Sequence, residues 1–385
     1  MEPCPRRRMS SSASGNPASH FEIAALFLKL GIIGFGGPAA HIALMEDEVV
    51  RRRSWLSREE FLDLLGATNL IPGPNSTEMA IHVGRRKAGW LGLLLAGSCF
   101  IVPASLIVTF FAWIYVRYGS FPQAGAILYG VKPVMIAIVL QALWRLGSVA
   151  LKSKALVLIA AAGALLNFAG VHELWVLFAS GIVSVIAGKK RASYFVLAMQ
   201  GVTGAATAPA AFGLTPMFLF FLKIGSVLFG SGYVLLAFLQ ADLVERWHWL
   251  SEGQLLDAIA AGQITPGPLF TTATFIGYVL GGAPGAVVAT AGIFLPAFFF
   301  VGLSGPLLPR IRQSETAGAF LDGVNAASLA LMVVVTYQLG RFAVVDFTTL
   351  ALTLISAMVL FRFRVNSIWV VFGGAVVGLL ATRLQ

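Results

Sequence analysis

Polar residues along this chain fall in short clusters, and the intervals between them are predominantly apolar, notably 88–116, 131–144, 287–308 and 317–339. A helix rises 1.5 Å per residue, so about 20 apolar residues cross a hydrocarbon core of about 30 Å. The pattern predicts an all-α polytopic membrane protein with about ten transmembrane segments. Several segments are interrupted. Glycine and proline cluster inside the apolar stretches 21–45 and 61–83 and at matching places later in the chain, where a helix has to break, either within a span or as a re-entrant hairpin.

Displaced by 194 positions (221 − 27), the chain matches itself: FLKLGIIGFGGP at 27–38 lies over FLKIGSVLFGSG at 221–232. At the same displacement Arg52, Trp55, Leu56, Ser57 and Asp63 meet Arg246, Trp249, Leu250, Ser251 and Asp257. Pro72, Gly73, Pro74 and Thr77 meet Pro266, Gly267, Pro268 and Thr271. A one-residue slip then brings Gly84, Gly92 and Pro103 onto Gly277, Gly285 and Pro296. Such agreement marks a duplication: a disordered tail over 1–19, a first copy over 20–191, a connecting segment over 192–215 and a second copy over 216–385. The tail carries Arg6, Arg7 and Arg8 ahead of an apolar stretch, as a secretory signal does. That stretch belongs to the repeat, so cleavage would destroy half of a repeated element.

Composition agrees: 58% of the residues are hydrophobic and 11% charged, about half the charge of a soluble domain, and mean hydropathy is +0.84. The net charge of +10 lies in short clusters between apolar runs, which points to cytoplasmic loops and away from nucleic acid. Cys4 and Cys99 are too few and too differently placed for a disulfide framework or metal cluster.

Lys and Arg are retained on the cytoplasmic side. The loops around Pro72-Gly73-Pro74 carry Arg51, Arg52, Arg53, Arg58, Arg85, Arg86 and Lys87, and the equivalent loops of the second copy carry Arg246 alone. The bias alternates onward in opposite phase in the two copies, which predicts two homologous halves in inverted topology. Residues 194–214 read as a crossing helix or a buried linker; if the first segment spans fully the basic tail lies outside, whereas a fold-back at residues 34–38 keeps it inside and requires 194–214 to cross between the copies.

The candidate chemistry sits at the interruptions. Gly34, Phe35, Gly36, Gly37 and Pro38 break the first segment, as do Gly230, Ser231 and Gly232 in the second copy; Pro72, Gly73, Pro74 and Asn75 break another, as do Pro266, Gly267 and Pro268. Helix N-termini freed at membrane depth present amide donors and a dipole suited to an anion. Packing kinks and tight hairpins are the structural alternative. Lys29 and Lys223 share a repeat position just before a break. As intramembrane cations they either compensate a divalent oxyanion or snorkel to headgroups. Asn69 and Gln263, and Thr77 and Thr271, either bond the same anion or satisfy exposed backbone. Glu78 and His82 lie four apart and share a helical face as proton-coupling candidates, although Thr272 and Ile276 replace them in the second copy. Trp55 and Trp249 read as interfacial anchors. No cofactor, metal or catalytic constellation is visible, nor a phosphate loop for an ATP-driven pump.

FGGPAAHIALME followed by WLSREEFLDLLGATNLIPGPNSTEMA resembles the signature of the chromate ion transporter (CHR) family, in its bidomain, long-chain form. The resemblance implies export of chromate, a divalent tetrahedral oxyanion like sulfate, across the bacterial cytoplasmic (inner) membrane, with chromate resistance as the phenotype. The second copy departs from the signature at Ser231-Gly232 and Leu269, so the halves contribute unequally. The expected partners are the oxyanion, the lipid bilayer and, in a homodimer, a second copy. A sulfate transporter, an anion channel and an intramembrane or lipid-handling enzyme using Glu78 and His82 are the rivals.

Overall fold

The computed structural model describes residues 19–35, 37–119, 121–188, 211–229, 232–312, 314–363 and 365–384, and every regular element among them is helical. The first copy runs α1 (His20–Ile33), α2 (Gly37–Glu46) with a π-helical continuation (Asp47–Arg52), α3 (Arg58–Thr68), α4 (Asn75–Tyr118), α5 (Pro122–Ala150), α6 (Lys154–Phe168) and α7 (Glu173–Gly188). The second runs α8 (Leu214–Val227), α9 (Leu235–Phe238) with its own π-helical continuation (Leu239–Arg246), α10 (Glu252–Ile264), α11 (Thr272–Arg312), α12 (Glu315–Ala343), α13 (Phe347–Phe363) and α14 (Ser367–Leu384). Displaced by 194 positions, α1 becomes α8 residue for residue, and the π-helical turns end at the equivalent Arg52 and Arg246.

Local chemistry explains the recurring Trp-Leu-Ser. Ser57 and Ser251 are N-caps, each in a capping box with the residue three positions on, Glu60 or Gln254. Together these satisfy two otherwise orphaned amides. One residue before each tryptophan, Ser54 and His248 turn the chain through left-handed backbone (φ 50° and 52°). Ser19, read from sequence as tail, instead caps α1. The other tail residues, Gly36, Gly230, Ser231 and residues 192–210 of the connecting segment lie outside the described residues, and Leu214 and Thr215 already belong to α8.

Two long helices fold back on themselves. In a straight helix Gly84 and Gly92 would be about 12 Å apart along the axis, yet their backbones touch, and Gly277 and Gly285 repeat the contact. The turns lie at Ala88-Gly89 and Gly281-Gly282, where the second residue of each pair, a glycine, has φ +58° or +60°. Only glycine takes that conformation and allows that approach without strain. The part of α4 before Gly89 therefore returns beside α3, and Arg86 meets Glu60 at 3.3 Å. Both ends of the α3–α4 break thus emerge on one side.

Four helices, Asn75–Tyr118, Pro122–Ala150, Leu269–Ser304 and Glu315–Ala343, are long and apolar enough to cross a membrane, with five shorter apolar helices beside them among the described residues. The chain is a multi-pass membrane protein whose segments are far from equal in length. At its centre α5 and α12 run antiparallel. Lys152, just past the end of α5, pairs with Asp322 near the start of α12 at 2.9 Å, and Tyr129 near the start of α5 donates to Asp346, just past α12, at 2.6 Å. Each central helix is clasped by the other copy's last two helices, α5 by α13 and α14, α12 by α6 and α7. Small residues let the backbones meet: Gly130 packs on Gly374 and Gly378, and the equivalent Gly323 on Ser180 and Ser184.

Candidate functional site

The breaks of the two copies are tied to each other. Gly73 N–H donates to the Leu228 carbonyl at 2.8 Å, and Gly267 N–H donates to the Gly34 carbonyl at 2.7 Å. Gly73 and Gly267 are equivalent positions, as are Gly34 and Leu228, so the two bonds form a reciprocal pair about a pseudo-twofold axis. Four interrupted segments, two from each copy, meet there. Gly73 (φ +138°) and Gly267 (φ +99°) need the freedom of glycine, and a Cβ would press into the Glu78 carboxylate at the first and into Ala104 at the second. His41 Nε2 adds a contact of 2.8 Å to the Gly34 carbonyl.

Pro74 precedes α4, and its carbonyl accepts from Thr77 and Glu78 N–H. The amides of Asn75 and Ser76 have no intrahelical acceptor, as at any helix start. Asn75 donates to Asn69 at 2.8 Å, which leaves the Asn75 Oδ1 buried without a partner, as is Thr77 Oγ1. In the second copy Thr271 Oγ1 donates to the Pro268 carbonyl at 2.8 Å, and Gln263 Nε2 lies buried without a partner. Glu78 and His82 lie buried on the first part of α4, with both carboxylate oxygens and the His82 Nε2 unpartnered.

Lys29 and Lys223 are both in ion pairs. Each closes on a carboxylate nineteen residues on, Lys29 on Glu48 at 2.6 Å and Lys223 on Asp242 at 3.1 Å. Glu48 and Asp242 stand at equivalent positions of the π-helical turns. Each also holds arginine: Arg52 and Arg53 beside Glu48, Arg246 beside Asp242. The carboxylates are the buried partners, and burying an unpaired charge is costly, so the cations are a condition of placing Glu48 and Asp242 there.

Beside the breaks opens a cavity of about 540 Å³. Pro38, Asn69 and Asn75 line it from the first copy's breaks and Phe229, Tyr233 and Val234 from the second copy's, and α5 and α12 wall it with Gln141, Arg145, Asn325 and Ser328. The repeat pointed to the breaks and missed these wall residues. Arg145 aligns with Gln338 and Ser328 with Met135, so neither stands out in a self-comparison.

On the other side of the breaks the copies are joined by ion pairs. Arg246 binds Glu173 at 2.8 Å, and Asp257 accepts from Tyr115 at 2.9 Å with Lys132 at 3.2 Å. Ligand atoms of His172, Glu173 and Asp242 lie within 4.8 Å of one another, a spacing a metal could use. Arg246 already bridges the two carboxylates and Lys223 pairs with Asp242, so the two acids are neutralised from within.

A family model described as chromate transporter matches residues 21–185 and again residues 215–379. The chain belongs to the chromate transporter family. Members are transporters and not enzymes, and the double match is the long-chain form. The chain is 31% identical to a chromate transport protein of Cupriavidus metallidurans over 94% of this chain and 93% of that one. It is 34% identical to a chromate transport protein of Pseudomonas aeruginosa, covering 84% and 82%. A probable chromate transport protein of Synechococcus elongatus is 30% identical, covering 87% and 88%. No solved structure matches the fold.

Proposed function

We propose that this protein is a secondary transporter exporting a divalent tetrahedral oxyanion, chromate, across the bacterial cytoplasmic membrane by alternating access of two inverted halves, and so confers chromate resistance. The reciprocal hydrogen bonds Gly73 to Leu228 and Gly267 to Gly34 carry the reading, because they put both copies' helix breaks at one locus. In this reading the anion binds at the same breaks, to the free amides of Asn75 and Ser76 and the side chains of Asn69, Thr77 and Gln263, while Gly73 and Gly267, whose N–H groups bond across the copies, hold the breaks together. Rocking one copy against the other exposes them to alternate sides.

Inversion is supported by α5 and α12, equivalent helices that run antiparallel, and by the pairs between copies. Lys152 with Asp322 joins segments that the basic-residue count puts inside, and Arg246 with Glu173 joins segments it puts outside. An inside-negative potential favours export of a dianion by roughly 2.3 kcal/mol per charge per 100 mV, so no proton is required. Glu78 with His82 is where a coupled proton would bind.

The test is uptake of labelled chromate and sulfate into everted vesicles. Saturable chromate uptake without single-channel current is expected. If neither anion moves and neither competes, the proposal fails; unitary currents would make the protein a channel instead.

A further inference from the structure

The cavity between α5, α12 and the breaks has a chemistry of its own. Lys152 at its rim is neutralised by Asp322 at 2.9 Å. Arg145 is different. Among the described residues no carboxylate pairs with it, although the other cations near the site, Lys29, Lys132, Lys223 and Arg246, are all in ion pairs. Its side chain is exposed and lines the cavity. Deeper in, Ser328 lines the cavity at 3% exposure with its hydroxyl unpartnered. Asn325 adds a side-chain amide whose N–H groups can donate. Buried hydroxyls in a finished core are satisfied; that of Ser328 faces an open volume.

We propose that this cavity is a vestibule that binds the oxyanion before it reaches the helix breaks, with Arg145 as the residue that captures it and Ser328 and Asn325 as neutral donors along the way. The inference rests on the transport reading above. An uncompensated guanidinium over a partly apolar wall raises the local concentration of a small dianion, and neutral donors further in bind the anion without trapping it. The wall is built in one copy only. The counterpart of Arg145 is Gln338, which donates to Glu245 at 3.0 Å in a small cavity of about 140 Å³. An anion is therefore gathered from the side of the α5–α6 loop, where Lys152 and Lys154 mark the cytoplasm, and is not gathered from the other.

In proteoliposomes, Arg145→Gln is expected to raise the KM for chromate presented on the α5–α6 side about tenfold, the scale of one charge acting on a dianion through partly solvated space. The limiting rate stays within about twofold, because Arg145 is outside the breaks. Arg145→Lys keeps most of the affinity. Arg145→Cys, in a chain with Cys4 and Cys99 replaced by serine, regains affinity when modified with an aminoethyl methanethiosulfonate and not with the sulfonatoethyl reagent. An unaltered KM in Arg145→Gln, or equal effects of the two reagents, overturns the vestibule while leaving the transport reading intact. If the wild-type protein moves no chromate, the transport reading fails. Calorimetric titration of chromate into the detergent-purified protein then decides: binding weakened about tenfold by Arg145→Gln upholds the site, and equal or absent binding overturns it.

Discussion

Replacing Lys223 by methionine separates two roles a membrane lysine can have. Lys223 is 3.1 Å from Asp242, whose side chain is 3% exposed against 34% for the lysine. Breaking a buried pair by removing one partner costs about 3–5 kcal/mol, and the partial exposure of the lysine reduces that to about 2 kcal/mol. Arg246 remains on Asp242 and limits the loss further. Asp242→Asn costs more, about 3 kcal/mol, because both cations lose their acceptor. The double variant Lys223→Met, Asp242→Asn recovers about 1 kcal/mol relative to the sum, the coupling expected of groups in contact. The assay is unfolding of detergent-purified protein by denaturant, with labelled chromate uptake measured alongside. If the lysine is structural, the double variant regains part of the uptake as it regains stability. Additivity within about 0.5 kcal/mol, or a stable double variant with no uptake, refutes the reasoning and returns Lys223 to the substrate.

The other expectations concern separate places. Gly267→Ala places a Cβ against Ala104 at φ +99° and loses about 2–4 kcal/mol from backbone strain and the weakened bond to Gly34, read as a lower melting temperature and slower uptake. Gly130→Val separates α5 from α14, and the protein extracts from membranes in lower yield than wild type. Asp346 has its carboxyl held below the usual range, first by the Tyr129 hydroxyl and then by the Thr349 amide. Its share of stability is complete above the ordinary carboxylate range and is lost as pH falls through the lower folded value; Asp346→Asn removes that acid-side slope in a melting-temperature scan. Asn75→Leu, the residue the second copy carries, removes the bond to Asn69 and slows chromate uptake about tenfold. Glu78→Gln leaves uptake driven by potential in place, and loss of any response to an imposed pH gradient identifies the proton site.

The duplication, the helical class and the places where helices break were legible because each is a local property repeated at one displacement. The partners of Lys29 and Lys223 were equally available, since Glu48 and Asp242 also sit at matching positions. They passed unread because a carboxylate in an apolar segment signals nothing until its cation is known. Lys132 and Asp322, each inside a run read as plain membrane helix, went the same way; their partners, Asp257 and Lys152, belong to the other copy. Arg145 was hidden for the opposite reason. A self-comparison weights what both copies keep, and the cavity wall is where they differ. The fold-back at Gly89 was invisible because a left-handed glycine and an ordinary one are the same letter.

The exchanged clasps of α5 and α12 set an order of assembly. The helices that cover α5 are complete only at residue 384, which is 234 residues after α5 ends at residue 150 (384 − 150). At roughly 5–20 residues per second of synthesis, α5 waits on the order of ten to fifty seconds with its glycine face open to lipid. During that interval another nascent first copy offers no α13 or α14, so mispairing has little to gain. The second half thus acts as the tether that delivers the first half's missing cover.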